Sequence, residues 1–69
     1  MGLTLLELFA DLLDRGYDVA LKKTSEHTYR IYIYDTYERE VFNYMFLAKD
    51  TDAGVASDLC DMLEQEKIL

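Results

Sequence analysis

Thr28-Tyr29-Arg30-Ile31-Tyr32-Ile33-Tyr34 places Tyr29, Ile31 and Ile33 on one face of an extended chain and Arg30, Tyr32 and Tyr34 on the other. A period of two, carried by β-branched and aromatic residues, is the pattern of a strand. Both faces can be used, which predicts a central position in a sheet. On its C-terminal side, Asp35-Thr36-Tyr37-Glu38 interrupts the alternation, and a third strand is expected from about Arg39 to Ala48.

Two registers of that third strand compete. A two-residue connection at Tyr37-Glu38 sets Ile33 against Phe42, Ile31 against Tyr44 and Tyr29 against Phe46, all on the core face. A shift by one residue moves Phe42, Tyr44 and Phe46 to the open face beside Tyr32 and Tyr34. Burying two phenylalanines is worth several kcal/mol, roughly 2 or more each, and favours the first register, in which Asn43 faces water. The turn lacks the Asn-Gly or Asp-Gly pair that would fix it.

Toward the N-terminus, the polar turn Lys23-Thr24-Ser25-Glu26-His27 leads back to another alternating run, Tyr17, Val19 and Leu21 against Asp18, Ala20 and Lys22. Before it, Thr4-Leu5-Leu6-Glu7 is a capping box, with the threonine hydroxyl accepting from the Glu7 amide and the carboxylate reaching back to the Thr4 amide. Leu3 and Leu8 stand at the positions of a hydrophobic staple. Leu5, Leu6, Leu8, Phe9, Leu12 and Leu13 then form one broad apolar arc, and Gly16 can take the left-handed conformation that ends a helix. Toward the C-terminus, Asp50, Thr51 and Asp52 are three candidate N-caps for a second helix, whose stripe is Val55, Ala56, Leu59, Cys60, Met62 and Leu63.

The expected fold is therefore a single α+β domain over residues 1–69, a two-layer αβββα unit. Its three-stranded antiparallel meander carries both helices on one face. The uncovered face would show Ala20, Lys22, Arg30, Tyr32, Tyr34, Val41, Asn43 and Met45, which is aromatic and apolar for a solvated surface. With 51% hydrophobic residues the chain lies outside the disordered range, but 69 residues give a core worth only roughly 3–5 kcal/mol.

Seven basic against fourteen acidic side chains leave a net charge of −7, which repels nucleic-acid phosphates and suits a basic protein surface. Direct nucleic-acid binding is not expected. Cys60 is the only cysteine, so no intramolecular disulfide can form, and a cytoplasmic location is expected. No apolar run approaches a membrane span. Met1-Gly2-Leu3-Thr4-Leu5-Leu6 begins like an acylation signal but has leucine where serine or threonine is wanted.

No catalytic centre, cofactor site or metal site is expected. His27 is the single histidine and lies in a turn, without the second histidine or cysteine a zinc site needs. Asp50, Asp52 and Asp58 have the spacing of a calcium loop. Gly54 stands where that loop needs an oxygen ligand, however, and Val55 where it needs glycine. The remaining candidates are surfaces. Glu7, Asp11 and Asp14 on the first helix, and Asp58, Asp61 and Glu64 on the second, recur at three- and four-residue spacing. That spacing lines up carboxylates about 5–6 Å apart, comparable to phosphates on a strand. Tyr32, Tyr34 and Tyr37 offer contact area at little entropic cost.

The element order resembles the double-stranded-RNA-binding domain. That family reads phosphates with lysines at the start of its second helix, where this chain has Asp50-Thr51-Asp52-Ala53-Gly54, so RNA binding should be lost. The amphipathic opening helix Leu5 to Leu13, the following Gly16-Tyr17-Asp18-Val19, the meander and the carboxylate-rich face together resemble the small acidic anti-CRISPR proteins of bacteriophages. The resemblance implies a non-enzymatic inhibitor that presents a nucleic-acid-like acidic surface to a basic nucleic-acid-binding protein such as a CRISPR effector. The other expectation is a structural or regulatory module that homodimerises or docks through its tyrosine-rich sheet face.

Overall fold

The computed structural model describes residues 3–69, and Met1 and Gly2, which open the acylation-like hexapeptide, lie outside the described residues. Helix α1 (Leu5–Asp14), strands β1 (Asp18–Lys23), β2 (Thr28–Tyr34) and β3 (Glu40–Leu47), and helix α2 (Asp52–Gln65) follow in that order. The sheet is antiparallel with β2 in the centre, so the expected α+β meander is the observed one. Leu8 and Leu12 of α1, Ile31 and Ile33 of β2, and Val55, Leu59 and Leu63 of α2 form one buried cluster between the helices and one sheet face.

Through the core, β3 takes the first of the two registers, with an irregularity nearer the turn. Ile33 pairs with Phe42, Ile31 with Tyr44 and Tyr29 with Phe46, which keeps the aromatic residues on the core face. Nearer the turn, Tyr34 pairs with Glu40, one residue out of step, and Val41 is the extra residue of a β-bulge. The connection is not the expected two-residue turn. The Asp35 amide donates to the Arg39 carbonyl and the Glu38 amide to the Asp35 carbonyl, so the loop holds Thr36, Tyr37 and Glu38. A three-residue loop shifts the ladder by one, and the bulge shifts it back before the core begins. Glu38, at φ 63°, occupies the left-handed position where such loops usually have glycine.

Both helix starts are capped, but not quite as the sequence suggests. Thr4 Oγ1 accepts from the Glu7 amide at 3.1 Å, while the Glu7 carboxylate takes the Thr4 hydroxyl rather than the Thr4 amide. Of the three candidates at α2, Thr51 is the N-cap, accepting from the Gly54 amide. Asp50 instead accepts from the Leu47 amide and closes the turn after β3. Asp52 reaches across to the Leu5 amide at 2.9 Å, so one carboxylate lies at the N-termini of two parallel helices.

Both helices end in the same double hydrogen-bond pattern: Gly16 and Tyr17 donate to Leu13 and Leu12, and Lys67 and Ile68 donate to Glu64 and Leu63. Gly16 takes the left-handed conformation expected of it, at φ 93°; in α2 that position is held by Lys67 at 61°. The apolar arc of α1 is wider than the surface available to cover it. Leu8 and Leu12 are buried, Leu5 and Phe9 half-buried, but Leu6 and Leu13 are exposed, as is Leu21 on the edge strand β1.

Candidate functional site

Two surfaces result, and they differ in charge. α1 carries Glu7, Asp11 and Asp14, and α2 carries Asp52, Asp58, Asp61 and Glu64; neither helix contains a lysine or arginine. The strands hold Asp18 and Glu40 against Lys22, Lys23 and Arg30, and the loops come within one charge of balance. The net charge of −7 is thus the charge of the helical layer. Asp11, Asp14 and Glu64 also sit near helix C-termini, where the aligned peptide dipoles favour cations instead.

Cys60 marks where the acidic residues of the two helices meet. Its Sγ donates to Glu64 Oε1 at 3.6 Å. Burial, that hydrogen bond, and the charges of Glu64, Asp61 and Asp11 push the thiol pKa up. Cys60 is half-buried rather than enclosed in the core, and its environment opposes thiolate formation. Asp11 of α1 and Asp61 and Glu64 of α2 therefore lie on adjoining sides of the helix pair, while Glu7 and Asp14 are exposed on α1. Asp58 does not join them. It lies on the opposite flank of α2, beside Tyr44, in a shallow hollow of about 160 Å³ shared with Asp50 and Thr51. Partial burial, with Asp58 and then Asp50 nearby, raises the Tyr44 phenol pKa.

The uncovered sheet face brings Tyr32 and Tyr34 together, their rings stacked at 6.4 Å, with the Lys22 ammonium 5.5 Å from the Tyr32 ring. Beside them Arg30 donates to Asn43 Oδ1, and Asn43 Nδ2 donates to Glu40 Oε2 at 3.0 Å. Met45 and Val41 are exposed on the same face. Tyr37 is separate, at the tip of the β2–β3 loop, 77% exposed and resting on Arg39. The network on β2 and β3 escapes sequence reasoning because Asn43 signals nothing until its cross-strand neighbours are known.

Among the described residues no group of three histidine, cysteine, aspartate or glutamate side chains is placed to hold a metal ion, and no helix is long and apolar enough to cross a membrane. In comparisons with known proteins, no family model matches the chain, and neither a curated protein nor a solved structure matches it.

Proposed function

We propose that this chain is a non-enzymatic protein-binding module whose acidic helical layer occupies a basic, nucleic-acid-binding surface of a protein partner and so inhibits it. The observation that carries this reading is the segregation of charge: seven carboxylates and no cations on the two helices, with acidic residues kept in both last turns. Asp14 and Glu64 stand at helix C-termini, where each forgoes roughly 0.3–1 kcal/mol, whereas Asp11 is compensated there by its ion pair with Arg15 at 3.3 Å. Departures from local stability rules are expected where a surface has a second task. Asp11, Asp61 and Glu64 would supply the central charge, with Glu7 and Asp14 extending it along α1. Asp58 would act at the margin, on the Tyr44 side. An inhibitor carried by a phage or mobile element is the setting such a surface suits.

The test is capture of partners from lysate at low salt, followed by a wash with excess duplex DNA. A nucleic-acid-binding enzyme retained by the wild-type chain, displaced by DNA, and lost with Asp11→Lys/Asp61→Lys supports the reading. Retention that ignores both DNA and the charge reversal refutes it.

A further inference from the structure

On the uncovered face of the sheet the formal charges cancel, Lys22 and Arg30 against Asp18 and Glu40. The rows of this face run across the strands in the observed register. Lys22, Arg30 and Met45 form one row, Ala20, Tyr32 and Asn43 the next, and Asp18, Tyr34 and Glu40 the third. One end of the face is therefore basic, the other acidic, and a tyrosine sits in the middle. Most of these groups are already engaged: Lys22 lies over Tyr32, and Arg30, Asn43 and Glu40 are linked by hydrogen bonds. Val41, Met45 and Leu47 remain exposed around them.

From this pattern we infer that the face binds a second copy of the same chain, forming a two-fold dimer with the sheets packed face to face and the acidic helices outward. A two-fold axis lying across the strands at the Tyr32 row turns the basic row of one copy over the acidic row of the other. Lys22 then opposes the partner copy's Asp18 at both ends of the interface, and the two Tyr32 rings meet near the axis. The opposite stacking, the helical layer of one copy on the sheet face of the next, gives an open-ended chain and finds no net positive charge to meet. Helix-to-helix association would oppose two strongly negative surfaces.

Strand spacing of ~4.8 Å and a rise of ~3.3 Å per residue make the three-stranded face roughly 25 by 15 Å. Allowing for side-chain relief, packing two copies buries on the order of 1,000 Å² in all, the lower bound for a specific interface. The dimer is accordingly a micromolar one. Sedimentation equilibrium from ~1 μM to ~1 mM should show the average mass climbing from 8.1 kDa toward twice that value. Lys22→Asp and Asp18→Lys should each weaken dimerisation about tenfold or more, and the double exchange D18K/K22D should restore it, with circular dichroism checking each fold. If a β1 variant unfolds, Met45→Asp replaces it, since Met45 is half-exposed in the monomer. A mass that stays at 8.1 kDa throughout, one that climbs past the dimer, or a dimer indifferent to these substitutions overturns the inference.

Discussion

Glu38 and Lys67 hold φ values of 63° and 61°, a conformation that crowds the Cβ of any residue with a side chain. Gly16 does the same work without strain, and for that reason it alone could be read as a helix end before the structure was known. A glutamate and a lysine carry no such signal, so the loop length and the end of α2 stayed hidden. Glu38→Gly should stabilise the domain by roughly 0.5–1 kcal/mol, the relief of left-handed strain less the added freedom of the unfolded chain. In a domain this small that is a rise of several degrees in the thermal midpoint. A lower midpoint would mean that Glu38 makes a contact outweighing its strain.

Asp35 holds the same loop from the other side. Its Oδ1 accepts from the amides of Tyr37 at 2.8 Å and Arg39 at 3.0 Å, and Oδ2 pairs with Arg39 Nε at 3.2 Å. The Arg39 amide, partly opposed by desolvation and reinforced by the Tyr37 amide and the Arg39 charge, lowers its pKa below the usual carboxylate value. A lowered folded pKa means that the unfolded chain takes up the proton first as pH falls. The stabilisation is therefore full above the ordinary aspartate range and disappears as pH drops through the folded value. Urea melts of wild type and Asp35→Asn should differ at neutral pH and converge in acid. A gap that is constant with pH would assign the effect to geometry alone.

At the scale of elements, period and capping explain why the five segments could be placed from sequence. β2 falls where its alternation puts it, from Thr28 to Tyr34, and the core-face pairing of Phe42, Tyr44 and Phe46 follows from their burial. Hydrophobicity selects a face but does not count the residues between a turn and that face. Two local irregularities, a three-residue loop and a bulge at Val41, cancel without leaving a trace in the pattern. The arc of α1 is wider in the sequence than in the core for a related reason: periodicity says which side chains share a side, whereas the neighbours decide how much is covered, and Leu6 and Leu13 lie past that limit.

The cancelling pair gives a sharp test. Deleting Val41 removes the bulge and leaves Tyr34 beside Glu40 and Ile33 beside Phe42, so the ladder becomes regular and the fold should survive within about 1 kcal/mol. Deleting Asn43 instead carries Tyr44 and Phe46 to the open face and should cost several kcal/mol, roughly 2 for Phe46 alone, enough to unfold so small a domain. Chemical denaturation of the two variants side by side reads the difference directly. Equal destabilisation would place the register-setting feature elsewhere than at the bulge.

For the whole molecule, the sign of the net charge was plain in the sequence, but its confinement to one layer needed the fold. The acidic positions on each helix were legible from their spacing. The meeting of Asp11, Asp61 and Glu64 around Cys60, and the departure of Asp58 to the Tyr44 side, depended on which flanks of α1 and α2 adjoin. A layer of one sign should work against its own folding. Asp11, Asp61 and Glu64 all act on the Cys60 thiol from two neighbouring helices, and of the three Asp11 alone is paired with a cation, Arg15 at 3.3 Å. Like charges therefore face one another across the helix pair, in a medium whose screening distance is ~10 Å at about 0.1 M salt. Self-repulsion of this kind is relieved by salt, so the thermal midpoint should rise by several degrees between about 0.01 M and about 0.5 M sodium chloride. Salt also strengthens apolar burial, and a reversal at the centre of the acidic surface separates the two effects. Asp61→Lys should raise the low-salt midpoint and flatten its salt dependence, because it replaces a repulsive group with an attractive one beside Asp11 and Glu64. A midpoint that falls with salt, or an Asp61→Lys curve parallel to wild type, would show that the carboxylates lie too far apart in effect to oppose one another. The acidic layer would then be electrostatically neutral toward folding, and its arrangement on the helices would lose the energetic tension that sets it apart from ordinary solvated surface.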